Sequence, residues 1–240
     1  MSTDQLSRIE NMKSIPKRSI PKIMHRVWLS GEPLPQAAQE FVTGWERLHP
    51  GWQHRLWTSE NLPEMVNRDL FNAASGWAAK TDILRYELMR TFGGVYMDVD
   101  LEPRKNIEVL IAGLDAFAPR FREETSPIFN PDFALEIAIL GSVPRHPLFE
   151  RVVSQLKLWH KLHPLAGILY ATGPHYFSLQ VNEWKRGDME GFSLTEFEPK
   201  VFQPYEWFEA DKEAMDYPDS YAIHRCWGSW NNWNGHPPAQ

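Results

Sequence analysis

Apolar and polar positions fall into short blocks over the first 140 residues, and the blocks switch between strand-like and helix-like spacing. From Pro21, KIMHRVWLS is rich in β-branched and aromatic residues and predicts a strand, closed by the turn formers Ser30-Gly31-Glu32-Pro33. In LPQAAQEFVTGWERLHP, Ala38, Phe41, Val42 and Trp45 recur at helical spacing, so an amphipathic helix is expected that stops before Pro50. Residues 52–58, WQHRLWT, predict a second short strand, and Ser59 reads as the N-cap of a helix reaching about residue 67. The clearest helical pattern covers 75–92. There Trp77, Thr81, Leu84, Leu88 and Thr91 mark one face, and Ala78, Asp82, Arg85 and Met89 another. Gly93-Gly94 ends it, because glycine takes left-handed backbone without steric cost, and a strand over 95–98 follows at once. Further strands are expected at 116–121 and 136–140, with a helix over 146–162. The tail 218–240, rich in Trp, Asn, Gly and Pro, reads as irregular.

Strands that alternate with helices indicate an α/β layer: a mainly parallel central sheet with flanking helices. No internal repeat or low-complexity segment divides the chain. The polar residues 1–19 read as a flexible N-terminal segment, and 20–240 as one domain. With 240 residues, 42% of them hydrophobic, there is apolar material for one sizeable core. The net charge of −6, without a long run of one sign, argues against nucleic acid as a partner and against a polybasic membrane tether. A single cysteine, Cys226, rules out a disulfide framework. No stretch approaches the roughly 20 apolar residues of a transmembrane segment, and MSTDQLSRIENMKS lacks a signal peptide's apolar core. A cytoplasmic protein is therefore expected, and peripheral association with a membrane-linked acceptor is compatible with that. The 11 tryptophans are either large core side chains or, for some, flat walls of a ligand cleft.

The chemistry concentrates in FGGVYMDVDLEP, residues 92–103. Asp98 and Asp100 follow the apolar run Val95-Tyr96-Met97, and buried carboxylates need a compensating positive partner. On a strand, i and i+2 share a face, so both can point to the carboxyl edge of the sheet, where open α/β folds bind ligands. A hard divalent cation accepts such oxygens. The spacing alone also fits a solvated loop. Asp82 and Arg85, one helical turn apart, are either a surface ion pair or a donor set folded back toward Asp98 by the double glycine.

The blocks IPKIMHRVW, AAKTDILRYELMRTFGGVYMDVD and IHRCWGSW, in that order over residues 20–230, resemble glycosyltransferase family 32, the DXD sugar-binding-region group. That group includes yeast-type α-mannosyltransferases and bacterial polysaccharide transferases, and it is similar to the catalytic domain of clostridial glucosylating toxins. The resemblance implies a Rossmann-like GT-A fold, a UDP- or GDP-linked sugar donor, a glycan or glycolipid acceptor, Mn²⁺ or Mg²⁺, and retention of anomeric configuration. By position it implies that Trp28 borders the nucleobase, Thr81 lies near the ribose, and Asp82 and Arg85 hold sugar hydroxyls, with Tyr96 lining that pocket. Asp98 would contact ribose, sugar or metal, and Asp100 would be the principal metal ligand. His224, Ser229 and Trp230 would close over the diphosphate and metal. Glu136 stands near a position that is often asparagine in the family. ATGPHYF, 171–177, matches a family turn expected to shape the cleft, and His146 before Pro147 reads as a cap rather than a ligand. Rival readings are a nucleotide-sugar-binding regulatory subunit, a nucleotide-sugar hydrolase and a protein-glycosylating effector.

Overall fold

The structure, a computed structural model, describes residues 18–122, 134–187, 189, 191–206 and 208–227. The polar segment 1–17 therefore lies outside the described residues, as do Ser229 and Trp230. The chain opens with β1 (Ile23–Val27), α1 (Gln36–Leu48) and β2 (Gln53–Trp57). Next come α2 (Arg68–Ala73), α3 (Trp77–Phe92), β3 (Gly94–Met97), β4 (Leu101–Pro103), β5 (Ala116–Pro119) and β6 (Ile139–Ser142). The second half supplies α4 (Pro147–Leu162), α5 (Ile168–Ala171), α6 (Pro174–Arg186), β7 (Thr195–Phe197) and β8 (Ala222–His224).

Six strands form the central sheet in the order β2-β1-β3-β6-β5-β7. All run the same way except β6, which pairs antiparallel with both β3 and β5. The mainly parallel α/β sheet is thus present. Strand alternation divides the core between its two faces. Tyr96 packs with Leu84, Tyr86 and Leu88 of α3, Phe149 of α4 and Phe177 of α6. Val95 and Met97 pack with Trp45 of α1, Phe117 and Phe202.

Several expectations need correction. No helix follows Ser59: its hydroxyl donates to the Leu29 carbonyl, and the Thr58 N–H donates to Asn61 Oδ1 in a local turn. The helix there starts later, at Arg68, where the buried Glu87 carboxylate accepts from the Asn67 N–H. The two-faced reading of α3 also fails. Trp77 is 48% exposed, whereas every residue from Asp82 to Met89 is buried. The helix lies between the sheet on one side and α2 and α4 on the other, so its middle has no solvent face. β6 begins three residues later than the pattern suggested, because the Glu136 carboxylate takes the N–H groups of Ile137 and Ala138 out of the ladder. The tail expected to be irregular contributes β8, which pairs antiparallel with β4, Leu101 opposite His224. Residues 228–240 lie outside the described part.

The helix-to-strand reversal is as the double glycine requires. Gly93 and Gly94 have φ of 60° and 82°, and a Cβ on Gly94 would lie 2.5 Å from the Ile23 carbonyl oxygen. His25 of β1 seals this corner. It accepts from Trp57 Nε1–H at 3.0 Å, which leaves its Nε2–H to donate to the Gly93 carbonyl, also at 3.0 Å. Protonation of Nδ1 would break the first bond, and burial pushes the His25 pKa down to about 4. His146 caps α4 as expected, accepting from the Leu148 N–H, and burial lowers its pKa to about 4 as well.

Both histidines fold neutral but protonate near pH 6.5 when unfolded, so stability present above pH 6.5 is lost as pH falls toward 4. The expected loss is up to about 3 kcal/mol for each histidine. Urea unfolding across that range should show the decline, and His25→Gln should make it shallower.

Candidate active site

The site forms where β3 leaves the sheet at its carboxyl edge. β3 ends at Met97, so Asp98 and Asp100 stand in a turn, closed by the Leu101 N–H on the Asp98 carbonyl at 3.3 Å. Their convergence comes from this turn and not from strand alternation, which corrects the i, i+2 expectation. The Asp98 N–H still bonds the Ala138 carbonyl at 2.8 Å, anchoring the turn to the segment before β6.

Around Asp98 the side chains form one buried network. Arg85 is 5% exposed, and its Nη2 lies 3.2 Å from both Asp82 Oδ1 and Asp98 Oδ1. Nη1 donates to the Ile137 carbonyl at 2.6 Å, and the guanidinium carbon sits 4.5 Å from the centre of the Tyr96 ring. The Tyr96 hydroxyl donates to Asp98 Oδ1. Asp82 receives a second bond from the Thr172 hydroxyl at 2.9 Å. Burial pushes the Asp82 pKa up to about 6 against the pull of Arg85 and Thr172. Burial raises Asp98 too; Arg85 opposes the rise and the Asp100 charge adds to it. Arg85 itself stays charged, since Asp98 and Asp82 outweigh the effect of its burial.

Asp100 has different company. Its Oδ2 accepts from the Trp227 backbone N–H at 2.9 Å, and Oδ1 lies 3.5 Å from His224 Nε2. Burial works against its charge, but His224 and the Trp227 N–H prevail and hold the carboxyl below the usual range. The Trp227 N–H is turned toward it by Cys226, whose φ of 51° is unusual outside glycine. Together Asp98, Asp100 and His224 present ligand atoms all within 4.8 Å of one another. Two carboxylates suit a hard divalent cation such as Mn²⁺ or Mg²⁺, and an imidazole nitrogen is available as a third donor, so the residues present fit a divalent metal.

The structure therefore brings Asp82, Arg85, Tyr96, Asp98, Asp100 and His224 into one connected group. Trp28 follows β1 at the same edge; its indole N–H donates to the Glu32 carbonyl at 2.6 Å and its ring is partly exposed. Thr81 is half-buried one residue before Asp82. Tyr96 is 1% exposed beneath Arg85, so its ring supports the group from behind. Two parts escaped sequence reasoning. Thr172 belongs to the TGP turn that was expected only to shape the cleft, and its hydroxyl in fact bonds Asp82. Gln203, whose Oε1 lies 3.3 Å from His224 Nδ1, sits in a stretch with no recognisable pattern.

A mainly parallel sheet with one reversed strand and a carboxylate turn at its carboxyl edge defines the GT-A class of glycosyltransferase folds. Similar solved structures include the PaToxG Glycosyltransferase, with a TM-score of 0.56 over 77% of this chain and 75% of that one at 13% identity. The catalytic domain of alpha-toxin from Clostridium novyi gives 0.50 over 76% and 66% at 10% identity. A family model described as "Glycosyltransferase sugar-binding region containing DXD motif" matches residues 35–116. The chain is 30% identical to mannosyl phosphorylinositol ceramide synthase SUR1 of Saccharomyces cerevisiae over 175 residues, 70% of this chain and 43% of that protein. It is 26% identical to inositol phosphoceramide mannosyltransferase 1 of Schizosaccharomyces pombe, over 95% of this chain and 68% of that one. The chain thus spans less than half the length of the first of these relatives. Among the described residues no helix is long and apolar enough to cross a membrane.

Thr172→Val should leave Asp82 Oδ2 without its hydroxyl donor. The expected cost is about 1–3 kcal/mol in urea unfolding, with Thr172→Ser close to the native value.

Proposed function

We propose that the chain is a retaining, metal-dependent glycosyltransferase. It moves a hexose from a UDP- or GDP-linked donor to a hydroxyl of a glycan or glycolipid. The observation that carries this is the joining of two groups at one sheet edge: the Asp82–Arg85–Asp98 ion network and the Asp98–Asp100–His224 donor set. A nucleotide-binding module without chemistry would have no need of both. The names of the fungal relatives favour mannose as the sugar and an inositol-phosphoceramide type of lipid as the acceptor to try first.

In this mechanism Asp100, Asp98 and His224 would hold the divalent cation, which when bound would offset the charge of the departing diphosphate. Asp82 accepts from sugar hydroxyls, and Arg85 keeps Asp82 and Asp98 fixed relative to one another, so the donor meets a preset array. Trp28, partly exposed at this edge, would border the base, and Thr81 would offer its hydroxyl to the ribose. No side chain is assigned as a nucleophile. The acceptor hydroxyl attacks from the face the diphosphate leaves, and the diphosphate oxygen takes its proton.

Thermal shift with UDP- and GDP-sugars plus Mn²⁺ should single out one nucleotide, because a ligand specific for the folded state raises the melting temperature. Asp100→Asn should abolish metal-dependent transfer while the purified variant stays folded by circular dichroism; full activity in the purified variant refutes the assignment. Trp28→Ala should weaken donor binding by about 1–3 kcal/mol through lost stacking, read by calorimetric titration. Donor breakdown that is equally fast with and without acceptor would instead indicate a hydrolase.

A further inference from the structure

Behind His224 lies a pair of buried polar side chains that the proposed mechanism does not use. Gln203 is 4% exposed and Glu206 is 2% exposed, both in the irregular segment between β7 and β8. Gln203 Nε2 donates to Glu206 Oε2 at 3.1 Å, and Gln203 Oε1 faces His224 Nδ1 at 3.3 Å. Glu206 Oε1 is buried with no hydrogen-bond partner. A polar pair so far from water is costly unless its orientation serves something.

We propose that Gln203, oriented by Glu206, is a positioning residue that fixes His224 with its proton on Nδ1 and its Nε2 facing Asp100. The Glu206 Oε2 accepts, so it draws the amide N–H₂ of Gln203 toward itself and turns the amide oxygen toward the imidazole. That oxygen can only accept, and Nδ1 must therefore be the donor. The other neighbour of Nδ1 agrees. Cys226 Sγ lies 3.5 Å from it while facing the His224 carbonyl at 3.6 Å, so the thiol hydrogen points to the carbonyl and the sulfur lone pairs remain for Nδ1–H. Both neighbours of Nδ1 are acceptors, and Nε2, 3.5 Å from Asp100 Oδ1, is the nitrogen left for a metal. Metal-binding histidines commonly have their second nitrogen held by a carboxylate or carbonyl, which sets the tautomer and raises ligand basicity. Here an amide is interposed between the ring and the carboxylate. The inference rests on the metal reading of Asp98, Asp100 and His224 above.

Long-range ¹H–¹⁵N correlation spectra of the native protein should show a proton on His224 Nδ1 both without metal and at saturating Mg²⁺. A Nδ1 without a proton in either state overturns the proposal and needs no variant. Mn²⁺ affinity, read from the free-ion electron paramagnetic resonance signal, should fall about 10-fold or more in Gln203→Leu. The double exchange Gln203→Glu with Glu206→Gln rebuilds the same chain with its polarity swapped, and should restore affinity to within about threefold of native. If Gln203→Leu does not fold, the double exchange decides alone: Mn²⁺ binding as weak as in Glu206→Gln by itself counts against the relay. Asp100→Asn separates the two failures. If it loses Mn²⁺ while Gln203→Leu binds normally, only the positioning role falls; if Asp100→Asn also binds normally, the metal site itself falls.

Discussion

A guanidinium enclosed in protein, with two carboxylates on one of its nitrogens, is what the rest of the structure must accommodate. Arg85 is almost wholly removed from water, and a buried charge left without its partners costs about 3–5 kcal/mol. Asp82 and Asp98 supply the compensating charge, and each carboxylate then needs bonds of its own. Thr172 and Tyr96 provide them, while the Ile137 carbonyl takes the remaining Arg85 terminal nitrogen. Through these few bonds α3, the turn after β3, the segment before β6 and the loop before α6 become one unit. Stability and the geometry of the proposed donor site are therefore carried by the same atoms.

The two aspartates of the D-x-D turn are not equivalent. Asp98 faces Tyr96 and Arg85, on the helix side of the sheet, and burial works to raise its pKa. Asp100 faces His224 and a backbone N–H, and is held ionised. One carboxylate is bound into the arginine network and the other into the C-terminal β8 segment. The pair thus couples the sugar-binding half of the proposed site to its metal-binding half, with only Val99 between them in the chain.

How much of this was legible beforehand depends on the range of the interaction. The reversal at Gly93-Gly94, the cap at His146 and the first two strands follow from local sterics and short-range bonds, and the pattern reveals them. The D-x-D and the Asp82, Arg85 pair were found because residue type and spacing survive in one contiguous block. What failed depends on distant partners. Ser59 bonds Leu29 rather than starting a helix, Glu87 moves the helix start to Arg68, and the all-round burial of α3 comes from α2 and α4. Thr172 and Gln203 were missed because a hydroxyl or amide reveals nothing of its function until the chain brings Asp82 or His224 within reach.

The small β4–β8 sheet has a consequence for how the molecule comes together. Asp100 and Trp227 are joined across 127 positions, and Glu102 and Arg225 across 123. Contacts of such long range carry the entropic cost of closing a large loop, which the bonds they make must repay. A form with the six-stranded sheet in place and β8 undocked would keep the arginine network but only two of the three converging ligand atoms. Completion of the three-atom cluster is thereby tied to the docking of β8, and the pairing of three-residue strands acts as the catch that holds it.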